Sequence, residues 1–191
     1  MNLYFRLLAT LLAGLRRPRL DPDRTLSRRF RVLPHDLDAF GHMNNGRYLQ
    51  IMDVARVDWM LRTGVLGAMW SEGWGAVLGG NLLRYRHALN LLDSYDVRTR
   101  LIHWDSRWFF FEHAFVDQSG RVAALGLSRA ALRRRASWVN TDDVVQIVAP
   151  DAVNPPRPQH LEDWLLAEET VESHRARLYS TNGANAVEVT S

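Results

Sequence analysis

The sequence contains no cysteine and no lysine. Without cysteine there is no disulfide framework, no thiolate nucleophile and no cysteine-based metal cluster, and the absence fits a reducing compartment. All 24 basic side chains are arginine, yet the formal net charge is only +3. Arginine usage alone carries no mechanism. The only dense basic run of the central region, Arg133-Arg134-Arg135, is too short to form the stripe a nucleic-acid binder needs, so no nucleic-acid partner is expected. The seven histidines show no metal-ligand spacing, and no phosphate-cradling G-x-x-x-x-G-K-[ST] occurs. Neither metal nor cofactor is expected.

Long hydrophobic runs are also missing. The apolar stretch at the start of the chain (Leu3, Tyr4, Phe5, Leu7, Leu8, Leu11, Leu12, Leu15) is interrupted by Arg6 and closed by Arg16, Arg17 and Arg19. It is too short to span a membrane comfortably. Its basic residues mostly follow the apolar run and no small-x-small site comes after it, unlike a secretory signal. Two readings stay open for residues 1–20. They form a helix docked on the protein's own surface or on a partner subunit, or an interfacial helix making peripheral membrane contact with its arginines at the headgroups. The expected location is cytoplasmic, with that membrane-peripheral alternative.

What is present is enough apolar material for a real core: 47% of 191 residues are hydrophobic, which suits one well-buried domain with extensions. The chain is organised around Asp36-Leu-Asp38-Ala-Phe-Gly-His42-Met-Asn44-Asn45-Gly-Arg-Tyr48, which leads from a strand-like segment into a long apolar helix. Pro34 ends the strand. Asn44 is the best N-cap, and Thr63-Gly64 supplies the stop after about Arg62. On the helical wheel Tyr48, Ile51, Met52, Ala55 and Trp59 share a face, and further apolar residues fill most of the rest, so the helix should be buried on most sides. Asp53 and Arg56 are spaced to pair along it, as a solvated or interface salt bridge. A loop or short helical turn follows, with Trp70 and Trp74 expected in core or dimer packing.

Gly75 fits a strand, and from Asn81 the pattern turns to period two. Gly79-Gly80 fits a bulge or a close backbone approach. Leu83, Tyr85 and His87 alternate with arginines, then Val97, Leu101 and His103 with polar residues. Trp108 to Phe115 is the most β-prone run, Asp117-Gln118-Ser119-Gly120 has hairpin-turn chemistry, and a last strand covers about Arg121 to Arg134. The order strand, helix, then four long antiparallel strands is an α+β architecture. Thr141-Asp142-Asp143 reads as the cap of a short helix over the sheet edge, Pro155 to Pro158 as a linker, Leu161 to Leu178 as a charged helix, and Ser180 to Ser191 as a disordered end. The expected organisation is an N-terminal segment and linker (1–23), a central domain (24–150) and a C-terminal extension (151–191).

The run D-x-x-x-H-x-N-N-x-x-Y, formed by Asp38, His42, Asn44, Asn45 and Tyr48 ahead of a helix carrying Asp53 and Arg56, resembles the hotdog-fold thioesterases. The similarity is to the branch with 4-hydroxybenzoyl-CoA thioesterase and the acyl-CoA thioesterases, over roughly residues 25 to 148. The resemblance implies a hotdog fold, a long curved antiparallel sheet wrapped around one central helix. It also implies active sites at the interface of a homodimer, or of a dimer of dimers, and hydrolysis of an acyl-CoA or acyl-carrier-protein thioester, as in fatty acid metabolism. Asp38 then acts on the thioester as nucleophile or general base, and the backbone N–H of Asn45 holds the thioester oxygen at the positive end of the helix dipole. His42 orients Asp38, binds substrate or bonds the turn. Asn44 and Tyr48 are assigned to substrate binding, Asn44 chiefly as helix cap and Tyr48 with its hydroxyl near the site. Asp36 is read as a solvated turn carboxylate. His87, His103 and Glu112-His113 stay unassigned, as do any residues from a partner subunit. Two alternatives remain. One is a non-catalytic acyl-binding or membrane-peripheral module. The other is an enoyl-CoA hydratase, whose D-x-N-P-x-H type loop this sequence does not reproduce.

Overall fold

The period-two stretches pair into one antiparallel sheet that curls around the apolar helix. The computed structural model describes residues 2–181. Its elements are α1 (Asn2–Leu15), β1 (Leu26–Arg31), a 3-10 turn (Pro34–Asp36), α2 (Asn45–Thr63), α3 (Val65–Glu72), β2 (Gly75–Tyr85), β3 (Ser94–Trp104), β4 (Phe109–Asp117), β5 (Val122–Arg134), β6 (Ser137–Trp138), α4 (Thr141–Val148) and α5 (Gln159–Thr181). The strand order is β1-β3-β4-β5-β2, with the short β6 added to the end of β5. This leaves β1 and β2 as the two edges. The hotdog architecture and the α+β class therefore hold.

The chain divides into two compact units, Met1–Pro156 and Arg157 onward. The second is the helix α5, with side-chain pairs such as Gln159 to Asp163 at 3.0 Å along its surface. The helix continues through Thr181, past the Ser180 at which a disordered end was expected; the rest of that end lies outside the described residues.

α2 forms where the sequence places it. The Asn44 side chain accepts a hydrogen bond from the Gly46 N–H, and Gly64, at φ 89°, closes the helix in the left-handed region that glycine adopts without strain. Tyr48, Ile51, Met52, Ala55 and Trp59 are all buried, and two apolar clusters lie on them. Tyr48, Ile51 and Met52 meet Phe30, Val97 and Phe115, while Trp59 meets Leu101, Phe109, Phe111 and Leu132. Asp58, a polar break on the wheel, is fully buried and paired with Arg28 of β1 at 3.2 Å.

The expected bulge in β2 falls between Leu78 and Gly80. Its cause is spatial: a Cβ on Gly79 would lie 2.3 Å from the Trp108 ring, which covers that position. The β4–β5 turn is made by Asp117, whose carboxylate accepts from the N–H groups of Ser119 and Arg121 and from the Ser119 hydroxyl.

Of the two readings for the segment after Gly64 the short helical one holds, and three other expectations (the α4 cap, a solvated Arg56 and a solvated Asp36) need correction. The segment after Gly64 is a two-turn helix, α3, because Gly64 and Gly73, both at positive φ, bracket it. Trp70 on its outer side is 92% exposed among the described residues, so of the expected core or dimer packing the core half does not hold. α4 is capped by Asn140 and not by Thr141, whose hydroxyl donates to the Asp105 carbonyl; Asp142 accepts from the indole N–H of Trp104 at 2.9 Å, so the two tie the helix to the sheet. Arg56 is buried, not solvated, although its pairing with Asp53 occurs as spaced. Asp36 is buried as well, for reasons set by α1.

α1 docks on the body of its unit. Thr10 is buried, and Gly14 lies where a Cβ would fall 2.5 Å from the Leu61 side chain, so close helix packing depends on the missing side chain. Arg6 turns inward to the Asp36 carboxylate at 2.5 Å and the Arg31 carbonyl at 2.9 Å.

Candidate active site

The head of α2 is positioned by a polar turn pinned on both sides. The Asn44 N–H donates to the Asp36 carbonyl and the Met43 N–H to the Leu89 carbonyl, both at 2.8 Å. Leu37 and Met43 form a single antiparallel bridge, as do His42 and Asn90. Asp36 anchors the turn from inside. Its Oδ2 accepts from the Leu33 N–H at 2.9 Å and from Arg6, while Arg47 Nε lies 3.6 Å from Oδ1. A buried carboxylate persists only with such partners.

Asp38 sits on the outer part of this turn, half-buried. Its N–H donates to the His42 carbonyl at 2.8 Å, and its Oδ1 accepts from the N–H groups of Phe40 at 2.8 Å and His42 at 3.2 Å. Gly41, at φ 80°, makes the reversal possible. Oδ1 is thus held by the backbone, and Oδ2 has no partner among the described residues. His42 itself is exposed, and what ties it to Asp38 is its backbone and not its ring.

Asp38, His42, Asn45 and Tyr48 line one cavity of about 250 Å³, together with Met43, Tyr85, Arg86, His87 and Ala88. Four of the five residues chosen from the sequence therefore meet there. Asn44 does not line it; its side chain is taken up by the cap. Asn45 is the first residue of α2, so its N–H has no acceptor within the helix and carries the positive end of the helix dipole. The Tyr85 hydroxyl donates to the Asn45 carbonyl at 3.0 Å, fixing the first turn from the end of β2. Tyr48 is buried between Tyr85 and Phe115, with ring centroids 5.1 Å and 4.9 Å away. Burial pushes its phenol up to about 12, so it is neutral at physiological pH.

Tyr85, Arg86 and His87 were not assigned to the site from the sequence. They arrive through sheet pairing: the N–H groups of Arg86 and His87 both donate to the Ala123 carbonyl at the end of the β2–β5 ladder. The available signal was a histidine and an arginine directly after a strand's last aromatic residue, which does not say what faces them. His113 lies in the core instead. It is fully buried and bridges the hydroxyls of Thr99 at 3.1 Å and Ser128 at 3.0 Å. His103 bonds the Pro155 carbonyl at 2.8 Å, also away from the cavity. Among the described residues no group of three or more His, Asp or Glu side chains could hold a metal ion.

A sheet curled around one central helix, with a carboxylate in the turn ahead of that helix's N-terminus, is the hotdog arrangement. The chain belongs to the thioesterase-like superfamily, whose sequence profile matches residues 32–165. It is 38% identical over 136 residues to the protein THEM6 of Xenopus laevis and 33% identical over 134 residues to that of Drosophila melanogaster, in each case about 70% of this chain. The match spans 64% of the Xenopus protein and 50% of the Danio rerio one. A thioesterase of Purpureocillium lilacinum, lcsJ, is 25% identical over 152 residues, covering 67% of this chain and 48% of the fungal protein. The fold is shared with solved structures. The Escherichia coli probable thioesterase YbaW has a TM-score of 0.59 at 18% identity, covering 64% of this chain and 94% of YbaW. The BH1999 gentisyl-coenzyme A thioesterase has a TM-score of 0.56 at 23% identity, covering 66% of this chain and all of BH1999.

Proposed function

We propose that this protein hydrolyses acyl-CoA thioesters to a free acid and coenzyme A, with Asp38 and the N-terminus of α2 as its working parts. The observation that carries the reading is that the Asp38 carboxylate and the first residue of α2 line the same cavity. Family membership and a relative named as a thioesterase support the reaction class.

In the proposed reaction a water molecule held at Asp38 Oδ2 gives its proton to the carboxylate as its oxygen attacks the thioester carbonyl carbon. The carbonyl oxygen takes up the electron pair and is held by the Asn45 N–H at the positive end of the helix. The pair then returns, the C–S bond breaks, and the thiolate leaves and is protonated. Direct attack by Asp38 through an anhydride is the variant of the same site. Tyr48, neutral and apolar-packed, walls the cavity. His42 and His87 stand at its rim as candidates for contact with the substrate's polar part.

The proposed assembly is a homodimer. Strand β2 presents one edge of eleven residues without a partner among the described residues, with Leu78 and Leu82 about half exposed. Free edges of this length invite pairing with another chain. Fatty-acyl substrates and a cytoplasmic location complete the reading. No helix of the described residues is long and apolar enough to cross a membrane.

Incubating the purified protein with a panel of short, long and aromatic acyl-CoA esters and a free-thiol reagent tests the function. Thiol release above the uncatalysed rate is the expected result. Absence of release across the panel, with the protein folded, contradicts it, and loss of enoyl absorbance without thiol release identifies a hydratase instead.

A further inference from the structure

α1 carries two opposed faces. The inner one holds Arg6, Thr10 and Gly14 against the body of the unit. The outer one presents Tyr4 (77% exposed), Phe5 (66%), Leu8 (53%), Leu12 (52%) and Leu15 (71%) to solvent. These positions, spaced by three and four residues, form one stripe along the helix. Ala9 is the other exposed residue on it, so among the described residues the outer face of α1 carries no charged side chain, and its one polar group is the Tyr4 hydroxyl. An apolar stripe this long on a surface helix marks a contact with something apolar.

Charge identifies the occupant. Residues 1–20 contain no Asp or Glu, and the stripe ends at the exposed Arg16, Arg17 and Arg19. That segment is held in place, because Arg62 donates to the Pro18 carbonyl at 2.9 Å and the Leu20 N–H to the Arg62 carbonyl at 2.9 Å. Asp21 and Asp23, the first acids in the chain, come only after this tie. A second copy packed parallel on the stripe would bring its arginines against these, where like charges repel, and one packed antiparallel would offer them no acid, since residues 1–20 hold none. A surface of anionic phospholipid instead offers acyl chains to the stripe, an interfacial layer to Tyr4 and Phe5, and phosphates to the arginines.

We propose that the outer face of α1 seats the protein on an anionic phospholipid bilayer surface, as a helix already folded and fixed to the domain. The two sequence readings of this segment are thereby compatible: the helix is docked by one face and faces lipid with the other. Because the docked face supplies the Arg6 contact to Asp36, the membrane-facing element is tied to the turn that carries Asp38. The inference is independent of which thioester the protein takes.

The test is co-sedimentation of the full chain with phosphatidylcholine vesicles, with and without phosphatidylglycerol. Two variants are compared with wild type, Leu8→Glu/Leu12→Glu and Arg16→Glu/Arg17→Glu. Both alter side chains pointing to solvent, so melting temperatures should stay at the wild-type value and report that folding is intact. The wild type should bind vesicles containing phosphatidylglycerol, less at high salt. The leucine variant should lose roughly tenfold or more of that binding, and the arginine variant should lose its preference for anionic lipid. Wild-type protein that stays in the supernatant, or leucine-variant binding equal to wild type, overturns the proposal. So does a change of the leucine variant from oligomer to monomer by sedimentation velocity without lipid, which would assign the face to a protein contact.

Discussion

Arg6 on α1 and Asp36 in the turn before the candidate site form an ion pair, buried on the Asp36 side, with Nη2 2.5 Å from Oδ2. Asp36 is wholly inaccessible and also accepts from the Leu33 N–H, while its carbonyl takes the N–H of the α2 cap, Asn44. A contact from the first turns of the chain therefore fixes the backbone two residues from Asp38. Replacing Arg6 by Met should cost about 3 kcal/mol, the low end of what breaking a buried pair costs, because Arg47 still faces Asp36. Denaturant unfolding measures it. A loss under about 0.5 kcal/mol, the scale of a neutral surface substitution, would mean that Asp36 does not depend on α1.

How much of this could be read from the sequence differs by level. The α2 boundaries, the Asn44 cap, the bulge at Gly79 and the Asp117 turn were legible because each is a local rule satisfied by neighbouring residues. Asp36 was misread because its partner Arg6 lies thirty residues away, on a helix whose orientation no local pattern states. The outward side of α3 was not legible either: Trp70 is exposed within the chain, so the core half of its expected core or dimer packing does not hold. The cavity was half legible. Asp38, His42, Asn45 and Tyr48 share one short stretch, whereas Tyr85, Arg86 and His87 join them only through the β2–β5 register.

His113 gives a pH signature. Burial, and then the nearby positive Arg56, hold its imidazole well below the ordinary histidine range. In the folded state it stays neutral, while in the unfolded chain it takes up a proton below about pH 6.5. The unfolded state thus binds more protons in that window, and stability falls as pH drops below about 6.5, by up to roughly 1.4 kcal/mol per unit. His113→Gln, which keeps a donor and an acceptor between Thr99 and Ser128, should flatten this slope. An unchanged slope between pH 6.5 and 5 would place the titration elsewhere.

Gly79→Ala tests the bulge. The added Cβ meets the Trp108 ring at 2.3 Å, closer than any relaxed contact allows. Displacing the ring should cost about 1–3 kcal/mol, read as a lowered melting temperature. Gly67, where a Cβ meets nothing within 4 Å, is the matched control and should tolerate alanine. Equal stability of the two variants would show that Trp108 does not seal the bulge.

The proposed oxyanion hole can be separated from the side chains around it. Asn45 is the first helical residue and Asn44 before it has ψ 137°, a geometry that accepts a following proline. Asn45→Pro should fold, yet it removes the N–H assigned to the thioester oxygen and should lower kcat by about a hundred- to a thousand-fold. Asn45→Ala keeps that N–H and should lose little. Equal losses in both would assign the effect to the side chain.

The most direct test of the account is thioester turnover by Asp38→Asn. The asparagine retains the Oδ1 that accepts from Phe40 and His42, so the turn and the melting temperature should survive, while the second oxygen is replaced by a group that can neither take a proton nor attack. On the best acyl-CoA substrate of the wild type, kcat should fall by at least about a hundredfold. A folded Asp38→Asn protein turning over that substrate at the wild-type rate would contradict the assignment of the chemistry to the head of α2.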